Sequence, residues 1–262
     1  MIKPATIPVL AFLALAFLCP AHAEITIYYV RHAEGGHNAK ARYVERKIPQ
    51  SEWPSWVGNP DVFSPDGEAQ VQALTTNLQP FRFDFIAVSP VWRARHTILP
   101  YLRATGRVAE IWPELGETVG FPARDNFPTD APGDSVFDGG TRIRLTEEEQ
   151  PFFRFRADGS GQRECKVSNF ADALAAAKRV EDLLRARFGT NAVTVLLVGH
   201  GNSSLTLLRR LTRNPSFKGA HLDNTHLWIV REHADGAGFA LLRYNEGAPA
   251  MSSTNAPSAT GR

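Results

Sequence analysis

The sequence has few cysteines and no excess of charge of one sign. Cys19 and Cys165 are the only cysteines in 262 residues, and the first lies in an N-terminal segment that we expect to be removed. A mature chain with one cysteine cannot form an intramolecular disulfide. The formal net charge is +2 at pH 7, and no long block of like charge occurs. This balance gives no support for a nucleic-acid-binding function.

Long apolar runs are also scarce. Residues 7–18 form one, but it is shorter than the roughly 20 residues of a membrane span. It follows Lys3 and precedes Ala-His-Ala at 21–23, the small-x-small pattern of a signal-peptidase site. We therefore expect 1–23 to be a cleaved signal peptide and the mature protein to be periplasmic or secreted, without a transmembrane segment. The alternative is a lipoprotein anchored through Cys19, which the bulky leucine before that cysteine disfavours.

Residues 24–251 alternate between strand-like and helix-like segments. The segments 25–30 and 85–88 are rich in β-branched and aromatic residues, and 193–198 is almost uninterruptedly apolar, as expected of a strand buried on both faces. Segments 227–230 and 239–242 resemble a terminal antiparallel pair. The pattern predicts an α/β fold with three layers, α/β/α, around a mostly parallel sheet with an antiparallel edge.

Cap residues and amphipathic spacing predict the helices. The expected helices begin at Ser64-Pro65 and end near Leu78, begin at Ser89-Pro90, run over 169–188 behind a Ser168 cap, and run from Ser203 or Ser204 to Leu211. Three other segments lack such periodicity. We expect an irregular loop over 38–63, an inserted cap over about 118–166 and a disordered tail over 252–262.

Polar residues follow three of the predicted strands. Arg31 and His32 follow the first strand, Arg93 follows the second, and His200 follows the strand at 193–198. In an α/β sheet, ligands bind at the carboxyl ends of the strands. The three loops are therefore expected to converge on one pocket.

Four sequence blocks resemble the motifs of the histidine phosphatase superfamily, which has the phosphoglycerate-mutase-like fold. The blocks are Arg31-His32-Ala33-Glu34 with Asn38, Phe63-Ser64-x-x-Gly67-x-x-Gln70, Ser89-Pro90-x-x-Arg93-Ala94-x-x-Thr97, and Val198-Gly199-His200-Gly201. They occur in the family's order between residue 25 and about residue 242. Ala33 stands where the family usually has glycine. The motifs of the phytase-like branch are missing, so the resemblance is to branch 1.

The residue types suit phosphoryl transfer. A neutral His32 imidazole can attack phosphorus and form a phosphohistidine, which divides one difficult displacement into two easier steps. Arg31 and Arg93 offer rigid guanidinium donors for the negative charge of the transition state. His200 can add a hydrogen bond or charge from the opposite side. We therefore predict these four residues to be catalytic.

A carboxyl group is needed to protonate the leaving group and then to activate water. Pro113-Glu114-Leu115-Gly116-Glu117 resembles the stretch that precedes the family's cap, and by that resemblance Glu117 is the predicted acid and base. Glu114 is the alternative. The sequence does not decide between them.

Further predicted contacts to substrate are Asn38, His37 and Gly201. A structural role for His37 is equally compatible with its position, and Glu34 is expected to be an exposed charge. A metal site of His32, His37 and His200 is conceivable, but no carboxylate cluster completes it. We predict no metal and no cofactor.

The predicted function is that of an exported, metal-independent phosphatase acting on phosphate monoesters through His32. Its partner would be a phosphorylated small molecule or a glycan- or lipid-linked phosphate. A phosphoglycerate-type mutase and a non-catalytic phosphate-binding module of the same fold are the alternatives. The identity of the ester and the oligomeric state stay open.

Overall fold

The structure, a computed structural model, describes residues 24–118, 139–189 and 191–247. The predicted signal peptide at 1–23, the predicted tail at 252–262 and part of the predicted cap lie outside the described residues. Among the described residues, no helix combines the length and the apolar character needed to cross a bilayer.

The described strands form one mixed sheet of seven strands. They are β1 (Ile25–Arg31), β2 (Phe85–Val88), β3 (Ala109–Ile111), β4 (Phe153–Arg154), β5 (Val193–Gly199), β6 (Leu227–Glu232) and β7 (Phe239–Glu246). Their order is β4-β3-β2-β5-β1-β6-β7. The pairs from β4 to β1 are parallel, and β6 and β7 add an antiparallel edge. The predicted α/β fold with an antiparallel edge is confirmed.

Five α-helices are described: α1 (Gly36–Glu45), α2 (Pro65–Leu78), α3 (Trp92–Thr105), α4 (Phe170–Phe188) and α5 (Gly201–Leu211). Short 3-10 turns occur at Gln50–Glu52 and Pro113–Leu115. Ser64 caps α2 through a bond from the Gly67 amide, as predicted. The predicted cap of α4 is wrong by one residue, because Asn169 accepts the Asp172 amide. The predicted start of α5 is two residues late, since the helix begins directly behind His200.

The helices cover both faces of the sheet. On one face, apolar side chains of α2 and α3 pack against alternate strand residues such as Val30 and Val198. On the other face, α4 and α5 pack against the intervening positions, such as Tyr29 and Leu197. Because adjacent strand residues point to opposite faces, one apolar strand supplies both cores. This is the predicted three-layer arrangement.

The predicted irregular loop at 38–63 is wrong over its first part, because α1 occupies Gly36–Glu45. Only Gly36 and Ala39 of α1 are buried, so the helix lacks the broad apolar stripe that reveals a helix in a sequence. Tertiary contacts hold it. A Cβ on Gly36 would lie 1.7 Å from the Trp56 carbonyl oxygen, and Arg42 forms an ion pair with Glu34.

Part of the segment predicted as a cap contributes to the main domain. Strand β4 lies at the edge of the sheet beside β3, and Ile143 is buried in the core under α2 and α3. Residues 142 and 163 form an isolated antiparallel bridge. The described part of the segment is thus anchored on the sheet edge.

Candidate active site

The four predicted catalytic residues lie at the carboxyl ends of the parallel strands. Arg31 ends β1 and His32 follows it, Arg93 is in the first turn of α3 after β2, and His200 directly follows β5. Because β2, β5 and β1 are neighbours in the sheet, their carboxyl ends are adjacent. The rings of His32 and His200 are 5.0 Å apart between centroids.

The His32 imidazole is buried and oriented by its neighbours. Only 1 % of the residue is exposed. Its Nδ1 lies 2.7 Å from the Ala33 carbonyl oxygen, which can only accept, so Nδ1 donates. The Nε2 atom then carries the lone pair in the neutral ring and accepts from Arg93 Nε at 3.2 Å. Burial, helped by the cation of Arg93, lowers the pKa of His32 well below its usual value. The ring is neutral at pH 7 and has a nucleophilic nitrogen.

Arg31 is held at one end of its guanidinium. Its NH1 donates to the Leu222 carbonyl oxygen at 2.6 Å and lies 3.1 Å from His221 Nδ1. Its Nε is buried and has no hydrogen-bond partner among the described residues. Burial lowers the pKa of Arg31, although an arginine keeps its charge at neutral pH. The Nε side of the Arg31 guanidinium is therefore available to an anion.

His200 closes the opposite side of the pocket. It is fully buried, and its Nε2 lies 2.8 Å from Ser89 Oγ. Ser89 Oγ accepts the Val91 amide at 3.2 Å, so its own hydrogen can be donated to Nε2. The proton of the neutral ring is then on Nδ1, a buried atom without a hydrogen-bond partner among the described residues. Burial, followed by the nearby His32, lowers the pKa of His200 well below its usual value.

Glu117 and Glu114 occupy different environments. A Glu117 carboxylate oxygen lies 3.7 Å from His200 Nδ1, and 37 % of the side chain is exposed. Partial burial raises the pKa of Glu117, which the Thr118 amide and Arg93 counteract only in part. Glu114 is buried, and Arg156 donates to its two oxygens at 2.8 and 2.9 Å. Glu117 is therefore the carboxyl group at the pocket, and Glu114 belongs to a buried ion pair.

Residues 27–120 match the family model described as "Histidine phosphatase superfamily (branch 1)". Within this range the chain is similar to that superfamily. The matched range contains Arg31, His32, Arg93 and Glu117. His200 lies outside it and joins the other four through the fold. No curated protein sequence matches the chain.

Solved structures similar to the chain include two phosphatases. One is a variant of phosphoserine phosphatase from Entamoeba histolytica in complex with phosphoserine, with 20% identity, a TM-score of 0.47, and coverage of 84% of this chain and 96% of that chain. The other is a mycobacterial glucosyl-3-phosphoglycerate phosphatase in complex with VO3, with 17% identity, a TM-score of 0.48, and coverage of 84% and 98%.

The predicted substrate contacts differ in their surroundings. His37 lies beside His32, and their ring centroids are 5.9 Å apart. Burial, followed by the cations of Arg93 and Arg31, lowers the pKa of His37 to about 4. Asn38 Oδ1 accepts the Gly35 amide at 3.1 Å at the start of α1.

Gly201, the third predicted contact, has a packing reason to be glycine. It is the first residue of α5, and a Cβ there would lie 2.2 Å from His221 Cε1. The absent side chain makes room for the His221 ring. The resemblance to the family indicated Gly201 but gave no sign of His221.

His32, Glu117 and His200 also form the one described group with the residue types of a metal site. Each offers one ligand atom, and these atoms lie within 4.8 Å of one another. The carboxylate that seemed to be missing from a histidine site is Glu117, which sequence reasoning had placed only as an acid and base. Arg93 donates to His32 Nε2 in the same pocket, so the local charge favours an anion over a cation.

Residues from the other family-like blocks bind the backbone of the loop after β1, which carries His32 and is called the nucleophile loop below. Thr97 Oγ1 accepts the Ala33 amide at 2.8 Å, and Gln70 Oε1 accepts the Glu34 amide at 2.8 Å. Asn224 donates to the His32 carbonyl oxygen at 2.9 Å. The motif spacing could have indicated the first two contacts, whereas Asn224 had no signal beyond its place before a late strand.

The expectation that Glu34 is an exposed charge is wrong. The residue is 6 % exposed. Arg42 donates to both carboxylate oxygens at 2.5 and 2.7 Å, and Ser64 Oγ donates to one of them at 2.6 Å. Glu34 therefore ties the nucleophile loop to α1 and α2.

Proposed function

We propose that the protein is an exported phosphomonoesterase that acts through a phosphohistidine on His32. The observation that carries the proposal is the buried, neutral His32, with its Nε2 lone pair beside the Arg93 guanidinium. Two of the pocket residues have a buried polar atom without a hydrogen-bond partner among the described residues. These atoms are Arg31 Nε and His200 Nδ1. Buried polar atoms without partners are costly, and a phosphoryl group offers acceptors to these donors.

In the first step, the His32 Nε2 lone pair forms a bond to phosphorus while the bond from phosphorus to the ester oxygen breaks. The leaving oxygen takes the proton of Glu117. The raised pKa of Glu117 supports this role, because it keeps the acid form present at a higher pH. The product of the step is a phosphorylated His32, a free alcohol and a Glu117 carboxylate.

In the second step, the Glu117 carboxylate takes a proton from water as the water oxygen attacks phosphorus. The bond from nitrogen to phosphorus breaks, and its electron pair returns to Nε2. Inorganic phosphate leaves, and His32 and protonated Glu117 are restored. Arg31 and Arg93 stabilise the oxygens in both steps because they are fixed before the charge develops.

Of the three candidate functions, hydrolysis gives a role to the largest number of site residues. A binding module needs the two guanidiniums but has no use for an acid with a raised pKa 3.7 Å from His200. A mutase would return the phosphoryl group to a second hydroxyl group instead of water. Release of inorganic phosphate from a monoester distinguishes hydrolysis from both alternatives.

The decisive experiment compares the purified protein with His32→Ala on an aryl phosphate. We expect release of inorganic phosphate by the wild type and a loss on the order of 10⁴-fold in the variant, because the nucleophile is removed. Rapid quenching followed by intact mass measurement should show a phosphoryl adduct in the wild type only. His233→Ala, in the turn between β6 and β7, is the matched control and should retain full activity.

Activity should persist after treatment with a chelator, which addresses the His32, Glu117 and His200 group. Loss of activity on chelation, with recovery on adding a divalent cation, would replace the phosphohistidine mechanism by a metal-assisted one. Wild-type activity in His32→Ala would remove the nucleophile assignment.

Export and substrate class are further parts of the proposal. Export rests on the leader-like residues 1–23, and an N-terminal peptide beginning at residue 24 in the exported protein would support it. A panel of sugar, amino-acid, glycan-linked and lipid-linked phosphates, compared by kcat/KM, would identify the class of ester.

A further inference from the structure

The guanidinium of Arg31 is anchored through one nitrogen. NH1 donates to the Leu222 carbonyl oxygen at 2.6 Å and lies 3.1 Å from Nδ1 of His221. An NH1 group has two hydrogens, so both can be taken up by residues 221 and 222. This leaves the buried Nε, which has no partner in the described part of the chain, to face a ligand. The orientation of the cation thus depends on a segment far from it in sequence.

The His221 ring is held in a notch at the start of α5. A Cβ on Gly201 would lie 2.2 Å from His221 Cε1 and 2.6 Å from Nε2. Real Cβ atoms do not approach other atoms so closely, so the ring could not stay in place beside any larger residue. Gly201 directly follows His200. His221 therefore contacts Arg31 on one side of the pocket and packs against the residue after His200 on the other side.

Nδ1 of His221 has two competing contacts. Besides Arg31 NH1, it lies 3.0 Å from the Leu222 carbonyl oxygen. An unprotonated Nδ1 accepts from Arg31, and Arg31 also keeps the carbonyl. A protonated Nδ1 donates to that carbonyl, competes with Arg31 for it, and places a second positive charge beside the guanidinium. One nitrogen cannot do both.

We propose that His221 is a positioning residue that orients Arg31 toward the phosphoryl group through its Nδ1, and that it occupies the space left by Gly201. The inference rests on the proposed function, because it assumes that the pocket binds phosphate. Glu117, Asp223, Arg93 and Tyr29 are further charged or titratable groups that act on Arg31.

The test measures binding of inorganic phosphate by calorimetry, which needs no turnover. His221→Ala should weaken binding by on the order of tenfold, the effect of losing one hydrogen bond to a charged group. His221→Asn keeps an acceptor near the position of Nδ1 without a titrating ring and should bind within about twofold of wild type at neutral pH.

Gly201→Ala tests the same arrangement without changing His221. It should weaken phosphate binding in the wild-type background, because the new methyl group displaces the ring, and should have no further effect in His221→Ala, where there is no ring to displace. His233→Asn, an exposed histidine elsewhere, is the matched control and should bind like the wild type. Circular dichroism checks that each variant is folded.

Two outcomes would overturn the inference alone: wild-type phosphate affinity in His221→Ala, or an equal loss from Gly201→Ala in both backgrounds. Absence of phosphate binding by the wild-type protein would instead overturn the proposed function, and this inference with it.

Discussion

Glu114 and Glu117 show how strongly environment determines the chemistry of a side chain. They are three residues apart, yet Arg156 binds Glu114 through both oxygens, while Glu117 lies 3.7 Å from His200 and is partly exposed. Both Glu114 oxygens accept hydrogen bonds from Arg156, so this carboxylate is engaged in an ion pair. Glu117, a desolvated carboxyl group without such a partner, has a raised pKa, which suits an acid.

Glu117→Gln is expected to lower kcat/KM on an aryl phosphate by about 10²- to 10³-fold, because general acid and base catalysis is lost. In the wild type, the rate should fall as the pH rises through the raised pKa of Glu117, since the acid form disappears. This alkaline limb should be missing in the variant. Steady-state kinetics across pH measure both effects.

Glu114→Gln is the matched comparison and should affect stability instead of chemistry. It leaves Arg156 buried without its counter-charge, which lowers the free energy of unfolding by on the order of 3 kcal/mol. Urea unfolding measures this, and kcat/KM of the folded protein should stay near the wild-type value. A large kinetic loss in Glu114→Gln with normal activity in Glu117→Gln would reverse the assignment.

At the scale of elements, hydrogen bonds from α2 and α3 fix the nucleophile loop. The loop after β1 contacts α2 through Ser64 and Gln70 and α3 through Thr97. Ser64 has two roles, since its oxygen accepts the Gly67 amide at 3.0 Å and its hydrogen goes to Glu34 at 2.6 Å. The start of α2 and the position of the loop are thereby coupled.

Ser64→Ala should lower the free energy of unfolding by about 1 kcal/mol through loss of the helix cap and should also lower kcat/KM, because Glu34 is released. Thr76→Ala in the exposed part of the same helix is the control and should change neither quantity much. Chemical denaturation and steady-state kinetics give the two values. A Ser64→Ala protein that loses stability but keeps full activity would show that the cap and the loop are independent.

At the scale of the whole molecule, the folded chain holds several histidines neutral. Burial lowers the pKa of His32, His200 and His37 below the ordinary value of 6.5, for His37 to about 4. The unfolded chain therefore binds more protons than the folded chain as the pH falls below 6.5. The stability that depends on neutral histidines is present above that pH and is lost toward the lowered folded-state values. Glu117 acts in the opposite sense, since its raised pKa favours folding at low pH.

The free energy of unfolding is accordingly expected to decrease between pH 7 and pH 5, by at most about 1.4 kcal/mol per pH unit for each buried histidine. Urea unfolding at the two pH values measures the decrease. Over this range, carboxyl groups with lowered pKa values, such as those of Glu34 and Glu149, remain charged and contribute little. His200→Gln should reduce the slope, and an unchanged slope would show that folding does not lower the pKa of His200.

Much of the architecture is predictable from local patterns. The strands β1, β2 and β5 follow from apolar runs, and the cap of α2 follows from a Ser-Pro pair, because these signals act within a few residues. The predicted start of α3 at Ser89-Pro90 is wrong, because the helix begins at Trp92 behind Val91, which makes no side-chain cap. Helix α1 was missed, because its stability comes from Gly36 against Trp56 and from Arg42 with Glu34, not from an apolar stripe. Strand β4 was missed because two residues paired at a sheet edge leave no periodic signal.

The sequence by itself determined the residue types of the pocket, since Arg31, His32, Arg93 and His200 each follow an apolar strand and matched a known motif. Only the tertiary structure placed Glu117 near His200 and Glu114 against Arg156, and only it brought His221 to Arg31. The physical reason is distance along the chain. Arg156 is 42 residues from Glu114, and His221 is 190 residues from Arg31, so the partners that set charge and orientation meet only when the sheet assembles.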